Sequence, residues 1–451
     1  MSLVIDQQTL DDLRVFGNKE KGSIYSIYNR THTRGGAELL EQLFRYPLAN
    51  RQQINDRSKI IRYFMQNQTA FPFKGELFDA AEQYLSETDN RKLLYRHEND
   101  IGRKFNQFIG ADNEYQQLLR GLCSVVEILI RLQQFLATMP VSSTSMPLSE
   151  ELRQLSLSLQ SPALKEMAGL KLPLKPDFAT TALWDKIIRQ EEMQQIRKIF
   201  YGIYMLDVLI SAAAVAKNRG FVTAEATDSM QRELLLEGVY HPQLPKPVSN
   251  NLTMLPGSNI VFLTGANMAG KSTFMKSVGI AMFLAHIGFP VPAARMVFSV
   301  CDALLTTINL PDNLAMGYSH FYTEVLRVKK MAQQLKRCRN LFIIFDELFR
   351  GTNVKDAGEA TIEVTAAFAS QPNCMFIVST HIMEAGEELA KNCSNIQFLY
   401  LPSEVRNGAT QYSYQLQKGI SADRHGMIII QHEGILEMLE KGKSKIRAHE
   451  L

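Results

Sequence analysis

Three short stretches of this chain have residue types and spacing suited to chemistry on phosphates. The first is Gly265-Ala266-Asn267-Met268-Ala269-Gly270-Lys271-Ser272-Thr273. It fits G-x-x-x-x-G-K-[ST], in which glycines let the backbone turn tightly so that successive N–H groups point at phosphate oxygens. Lys271 is then placed for the β- and γ-phosphates of a nucleoside triphosphate, and the Ser272 hydroxyl for Mg²⁺. The second is Asp346-Glu347, at the end of the apolar run Leu341-Phe342-Ile343-Ile344-Phe345. Asp346 is suited to hold Mg²⁺, directly or through water, and Glu347 to orient or deprotonate an attacking water. The third is His381, which closes Val378-Ser379-Thr380-His381 and is a candidate sensor of the γ-phosphate.

These residues need particular elements to position them. A strand-like run, Ile260–Leu263, precedes the loop, and a helix-like run, Ser272–Gly288, follows it. That order aims the positive end of a helix dipole at the phosphates. The acid pair and His381 each end a short apolar run, as residues at the C-terminal edge of a buried parallel sheet would. The runs 259–264, 340–345, 374–379 and 395–400 are predicted strands, with helices between them. Upstream the pattern is helical. Leu39, Leu40 and Leu43 share a stripe that Pro47 ends, and Leu118, Leu122, Val125, Leu129 and Leu132 keep register within 114–138. A further helical stretch covers 184–218 and stops at Gly220. Residues 139–175, rich in Ser and Pro, read as a linker, and Tyr240–Asn251, with three prolines, as a domain boundary.

At 451 residues the chain is too long for one ordinary core. Its 21% charged residues and net charge of +3 exclude a global basic field as an argument for nucleic acid, so local patches must carry that argument. Basic clusters lie at Arg91, Lys92, Arg96, Arg103 and Lys104, and at Lys441, Lys443, Lys445 and Arg447. Five cysteines without a C-x-x-C pair suggest neither a disulfide framework nor a zinc site. The acidic N-terminal stretch lacks the pattern of a signal peptide, and the apolar run 278–294 is interrupted by His286, Pro290 and Pro292. A cytoplasmic protein with no membrane span is expected.

Taken together, the motifs resemble those of the MutS family, ABC-class ATPases of DNA mismatch repair. The family's loop reads T-G-P-N-M-G-G-K-S-T, and Thr264–Thr273 reads T-G-A-N-M-A-G-K-S-T. The family's D-E-x-x-R-G-T string matches Asp346–Thr352. Its signature segment, D-D-L-A-S-G-R-S-T-F-x-x-E, resembles 312–324, with Ser319 and Glu324 kept and Tyr318 and His320 replacing Arg and Thr. Residues 412–429, 29–48, 204–222 and 237–242 also resemble family stretches.

The resemblance implies an α + α/β protein: a helical core and lever domain over 1–235, followed by an ABC-type P-loop ATPase domain over 236–451. It implies ATP and Mg²⁺ as cofactors, with Gly265 to Thr273 around the nucleotide. It also implies a nucleotide-dependent homodimer in which Ser319, beside Gly317, contacts the γ-phosphate in trans. A DNA partner, mismatched, branched or duplex, is expected by the same inheritance. The family's mismatch-reading and connector domains are expected to have no counterpart here, and its clamp is expected to be reduced or absent at 138–190. An RNA- or ribosome-directed switch and a protein-interaction switch remain open beside the DNA-sensing ATPase.

Overall fold

The computed structural model describes residues 2–17, 22–87, 111–139, 150–228, 230, 232–308, 320–406, 409–421 and 438. The chain divides into two compact units. One is Ile27–Arg45 with Asp56–Arg219, and the other is Met1–Ser26, Tyr46–Asn55 and Gly220–Leu451. The division thus falls at Arg219–Gly220 rather than at 235/236, and two N-terminal stretches go with the C-terminal unit.

In chain order the first helices are α1 (Gln7–Asp12), α2 (Ile24–Tyr28), α3 (Arg34–Arg45), α4 (Arg51–Asn67), α5 (Gly75–Ser86) and α6 (Ala111–Thr138). They are followed by α7 (Glu150–Ser158), α8 (Pro162–Ala168), α9 (Phe178–Lys186), a π-helical turn at Ile187–Glu191, and α10 (Met193–Arg219). Helix α10 is the axis of the helical unit, and its residues from Met205 to Ala213 are all buried. Among them Asp207 is a buried charge made tolerable by hydrogen bonds. Its carboxylate accepts from the His32 and Thr33 amides and the Thr33 hydroxyl, so it satisfies donors at the start of α3. Gly36 lets α3 approach, since a Cβ there would lie 2.6 Å from Asp207 Oδ2. Helix α10 ends as expected on Gly220, at φ +69°.

Two sequence expectations change here. Residues 150–168 are not linker but the helices α7 and α8. Leu155, Leu159, Leu164 and Met167 are buried, and a Cβ at Gly202 of α10 would meet Leu155 at 2.7 Å. The serines masked this helical spacing of apolar residues. The stripe on α3 is also rotated: Leu39, Leu40 and Phe44 are buried, while Leu43 is half-buried. Tyr115–Thr138 and Met193–Arg219 are each long and apolar enough to cross a bilayer by length and composition. Protein covers 56% and 83% of their most apolar windows, the second as expected of a core helix.

The other unit contains β1 (Glu225–Thr227), β2 (Leu234–Val239), β3 (Asn250–Met254), β4 (Ile260–Gly265), α11 (Lys271–Ile287), β5 (Arg295–Ser299) and β6 (Ala303–Thr307). After them come α12 (His320–Gln334), β7 (Leu341–Phe345), α13 (Val354–Ala369), β8 (Met375–Ser379), α14 (Met383–Asn392) and β9 (Ile396–Leu401). Strands β10 (Ser403–Arg406), β11 (Ala409–Tyr412) and β12 (Gln417–Lys418) close the order. The main sheet runs β12-β9-β4-β8-β7-β6, with β9, β4, β8, β7 and β6 parallel and β12 antiparallel. Strands β4, β7 and β8 are buried throughout, as their unbroken apolar runs require. A second sheet runs β1-β5-β2-β3. Its β2 and β3 pair antiparallel, so Tyr240–Ser249 is their connection within one unit and not a domain boundary. Prolines suit that connection because they cannot donate to a ladder.

The N-terminus completes the free edge of β6. Val4 pairs in parallel with Ala303: the Val4 amide donates to Asp302 O at 2.8 Å and the Leu304 amide to Val4 O at 3.0 Å. Helix α1 then fixes the end of β6. Thr9 Oγ1 accepts from the Thr306 amide, and Asp12 Oδ2 accepts from the Thr306 hydroxyl and the Ile308 amide. Asp6 caps α1 through the Thr9 amide and also pairs with Arg327 and Lys330 of α12.

Candidate functional site

The loop between β4 and α11 has the backbone its sequence demands. Gly265 and Gly270 take φ +139° and +101°, where a side chain is strained. Space forbids one as well: a Cβ on Gly265 would lie 2.9 Å from Leu401 O, and one on Gly270 3.0 Å from the Tyr414 ring. Met268 also has positive φ, at +70°, and projects into solvent at 78% exposure. The Ala269 amide donates back to Ala266 O at 3.3 Å, curling the loop into a cradle ahead of α11.

Lys271 is buried at the first position of α11, and its Nζ donates to Gly265 O at 2.8 Å and Ala266 O at 3.2 Å. Burial lowers its pKa, while the charges of Glu347 and Asp346 oppose that fall. Its partners among the described residues are neutral carbonyls, and the ammonium can exchange them for an anionic oxygen, which it holds more strongly.

Strand β7 delivers Asp346 to the same end of the sheet, where its amide donates to Thr307 O at 2.8 Å. Burial raises the carboxyl's pKa, and hydrogen bonds from Ser272 and Ser379 counter it. Ser379 Oγ donates to Asp346 Oδ1 at 2.7 Å and accepts from the Glu347 amide at 2.9 Å, tying β8 to both acids. Glu347 sits at φ +52° and Phe349 at φ +62°, two uncommon conformations within three residues. The Glu347 carboxylate accepts from Arg350 Nη1 at 2.9 Å. Burial raises the pKa of Glu324 too, and its carboxylate accepts from the backbone amides of Gly351 and Arg350 in the turn that carries the guanidinium.

Residues far apart in sequence thus meet: Lys271 and Ser272 from α11, and Asp346 and Glu347 from the end of β7. Ser272 and Asp346 share a hydrogen bond, so a divalent cation placed between them finds two oxygen ligands of the right hardness. The glycine cradle fits a polyphosphate. Asn267 is exposed on the rim, Ala266 half-buried and Ala269 buried inside it, and Thr273 is exposed one residue past Ser272. His381 stands at the end of β8 as expected, but it is exposed and makes no side-chain hydrogen bond to either acid among the described residues. Ser319 and Gly317, and both basic clusters, lie outside the described residues.

Two residues escaped the sequence reading. Ser379 lies two positions before His381, and a hydroxyl at the end of the strand beside the acid strand was its signal. Tyr414 packs its ring over Gly270, held by Asn250, whose carboxamide donates to Tyr414 O at 2.9 Å and accepts from the Leu416 amide at 2.7 Å. Tyr414 has φ +57°, and no local pattern announces it.

Comparison with known proteins agrees with this geometry. Residues 3–213 match the model of MutS domain III, and residues 261–448 match that of MutS domain V. The chain belongs to the MutS family. The loop, acid pair and Ser379 fall in the part that matches domain V, and Asp207 in the part that matches domain III. A DNA mismatch repair protein MutS of Shouchella clausii (strain KSM-K16) is 27% identical over 285 residues, 61% of this chain. One of Synechococcus sp. (strain JA-2-3B'a(2-13)) is 29% identical over 275 residues, 56% of this chain. The human MutS protein homolog 4 is 29% identical over 246 residues, 52% of this chain. The aligned parts span 32%, 31% and 25% of those proteins' own lengths, a third or less.

Proposed function

We propose that this MutS-family chain is a Mg²⁺-dependent ATPase that acts on DNA, in mismatch repair or in sensing recombination-related DNA structures. The observation that carries the reading is the convergence of Lys271, Ser272, Asp346 and Glu347 beside a glycine cradle. The names of the two similar bacterial proteins, DNA mismatch repair protein MutS, support the DNA reading.

The loop amides and Lys271 hold the phosphates of ATP, and Ser272 and Asp346 hold the cation. Mg²⁺, when bound, neutralises charge on the phosphate oxygens. Glu347 orients the attacking water and accepts its proton. His381, exposed just past the end of β8, is assigned as the sensor of the γ-phosphate. Tyr414 offers a ring face beside Gly270 on which the adenine base stacks. Base–aromatic stacking is worth ~1–3 kcal/mol, so Tyr414→Ala weakens ATP binding about tenfold. Fluorescent-nucleotide titration checks this, and an unaltered affinity removes Tyr414 from the site.

Two copies close on ATP, with Ser319 of one meeting the γ-phosphate held by the other, and hydrolysis lets them part. The helical unit carries that opening and closing to DNA as a lever. Sedimentation of the Glu347→Gln variant tests the coupling. With Mg²⁺ and ATP it is expected to run as a dimer and with ADP as a monomer. A monomer under both nucleotides rules out the ATP-dependent dimer.

A further inference from the structure

The turn after the acid pair is tied to a helix by contacts that the proposed hydrolysis does not use. Glu324 lies one turn into α12 with its side chain 8% exposed. Its Oε2 accepts from the Gly351 amide at 3.4 Å, the Arg350 amide also hydrogen-bonds the carboxylate, and His320 Nδ1 lies 3.5 Å from Oε1. Gly351 allows this approach, because a Cβ there would lie 2.6 Å from the Phe321 amide nitrogen. The Phe321 and Phe349 rings meet at 5.9 Å between centroids. The first turn of α12 and the turn 349–351 therefore move together.

That turn places Arg350, whose guanidinium is bonded to the Glu347 carboxylate. Arg350 is 61% exposed, and so open an ion pair holds a carboxylate only weakly on its own. The backbone beneath it carries the guanidinium, and Glu324 accepts from that backbone at the Arg350 and Gly351 amides. We infer that Glu324 is a positioning residue for hydrolysis, acting through the Arg350-Gly351 turn to set the Glu347 carboxylate. Helix α12 begins within the segment that resembles the family signature, at the residue after Ser319, and Glu324 closes that segment. Displacement of its first turn is therefore passed within the same subunit to Glu347.

This rests on the ATPase reading, and the test separates the two. Single-turnover hydrolysis and ATP affinity are measured for the unaltered chain, for Glu324→Ala, for Arg350→Ala and for the double variant. Each single change is expected to slow hydrolysis ~10–50-fold while the Kd for ATP stays within about twofold, a loss confined to the chemical step. The double variant is expected to be no slower than the worse single one, because both act along one path. Glu324→Gln keeps an acceptor for the Gly351 amide and is expected to retain its rate within about threefold. Gly351→Ala serves if Glu324→Ala does not fold, since it forces the turn off α12, and the same rate-specific loss is expected. An unaltered rate in Glu324→Ala or Gly351→Ala overturns the inference, as does a double variant slowed by the product of the single effects. An unaltered chain that does not hydrolyse ATP overturns the ATPase reading itself.

Discussion

Replacing Glu347 by Gln is expected to slow ATP turnover ~10²–10⁴-fold with little change in ATP affinity. Glutamine has the same length and keeps an oxygen to accept from Arg350 Nη1, so the local geometry is preserved. The backbone of residue 347 at φ +52° is held by the Ser379 hydroxyl on its amide, which the substitution does not touch. The cradle, Lys271 and the Ser272–Asp346 pair, to which the proposal assigns nucleotide and cation binding, stay in place. What is lost is the capacity to accept a proton from water. The loss belongs in kcat, read by steady-state phosphate release beside a binding titration. Turnover equal to that of the unaltered chain would move the general base to another residue.

Arg327→Ala is expected to destabilise the C-terminal unit by about 2–4 kcal/mol. Arg327 is 7% exposed and donates to both Asp6 oxygens, to Thr306 O at 2.6 Å and to Thr307 Oγ1 at 3.3 Å. Truncation takes the main donor from a half-buried carboxylate and from the buried Thr306 carbonyl, and buried groups left short of a partner carry a desolvation penalty. Lys330 Nζ, 3.0 Å from Asp6, and the Thr9 hydroxyl retain part of the interaction, which sets the range below that of a fully orphaned charge.

The same pair fixes a pH dependence. Burial opposes ionisation of Asp6, but hydrogen bonds and charge from Arg327 outweigh it and hold the carboxyl well below the usual range. A carboxylate depressed in the folded state stabilises fully above its unfolded pKa of ~4, and that stabilisation is lost as pH falls toward the folded value. The gap between the unaltered chain and Arg327→Ala is therefore expected to be full near neutral pH and to shrink below pH ~4. Urea unfolding at several pH values measures it, and equal stabilities at neutral pH would show that the pair contributes nothing.

The core of the site was legible because each part has a local signature. The loop's glycines, the acids ending an apolar run and the strands β4, β7, β8 and β9 all declare themselves within a few residues. Strand β6 did not, since Ala303–Thr307 is short and ends in threonines, although every residue is buried. Ser379 and Tyr414 owe their roles to the pairing of β8 with β7 and the return of residues 412–416 to the loop, which are long-range facts. The N-terminal stretch read as helical and went with the helical domain, yet Val4, Thr9 and Asp12 bind β6 nearly 300 residues downstream. Helices α7 and α8 were hidden by the serines set among their apolar residues, Ser156 half-buried and Ser158 buried. The proline-rich stretch after β2 resembled a boundary because strand connections and linkers draw on the same residues.

The central claim is that Lys271, Ser272, Asp346 and Glu347 form a hydrolytic ATP site. Phosphate release from ATP by the purified chain, with Mg²⁺ and then with excess EDTA, tests it most directly. The expected result is slow, saturable release that EDTA abolishes and that Lys271→Ala lacks. Release no greater than that of the Lys271→Ala variant, or release indifferent to EDTA, would contradict it.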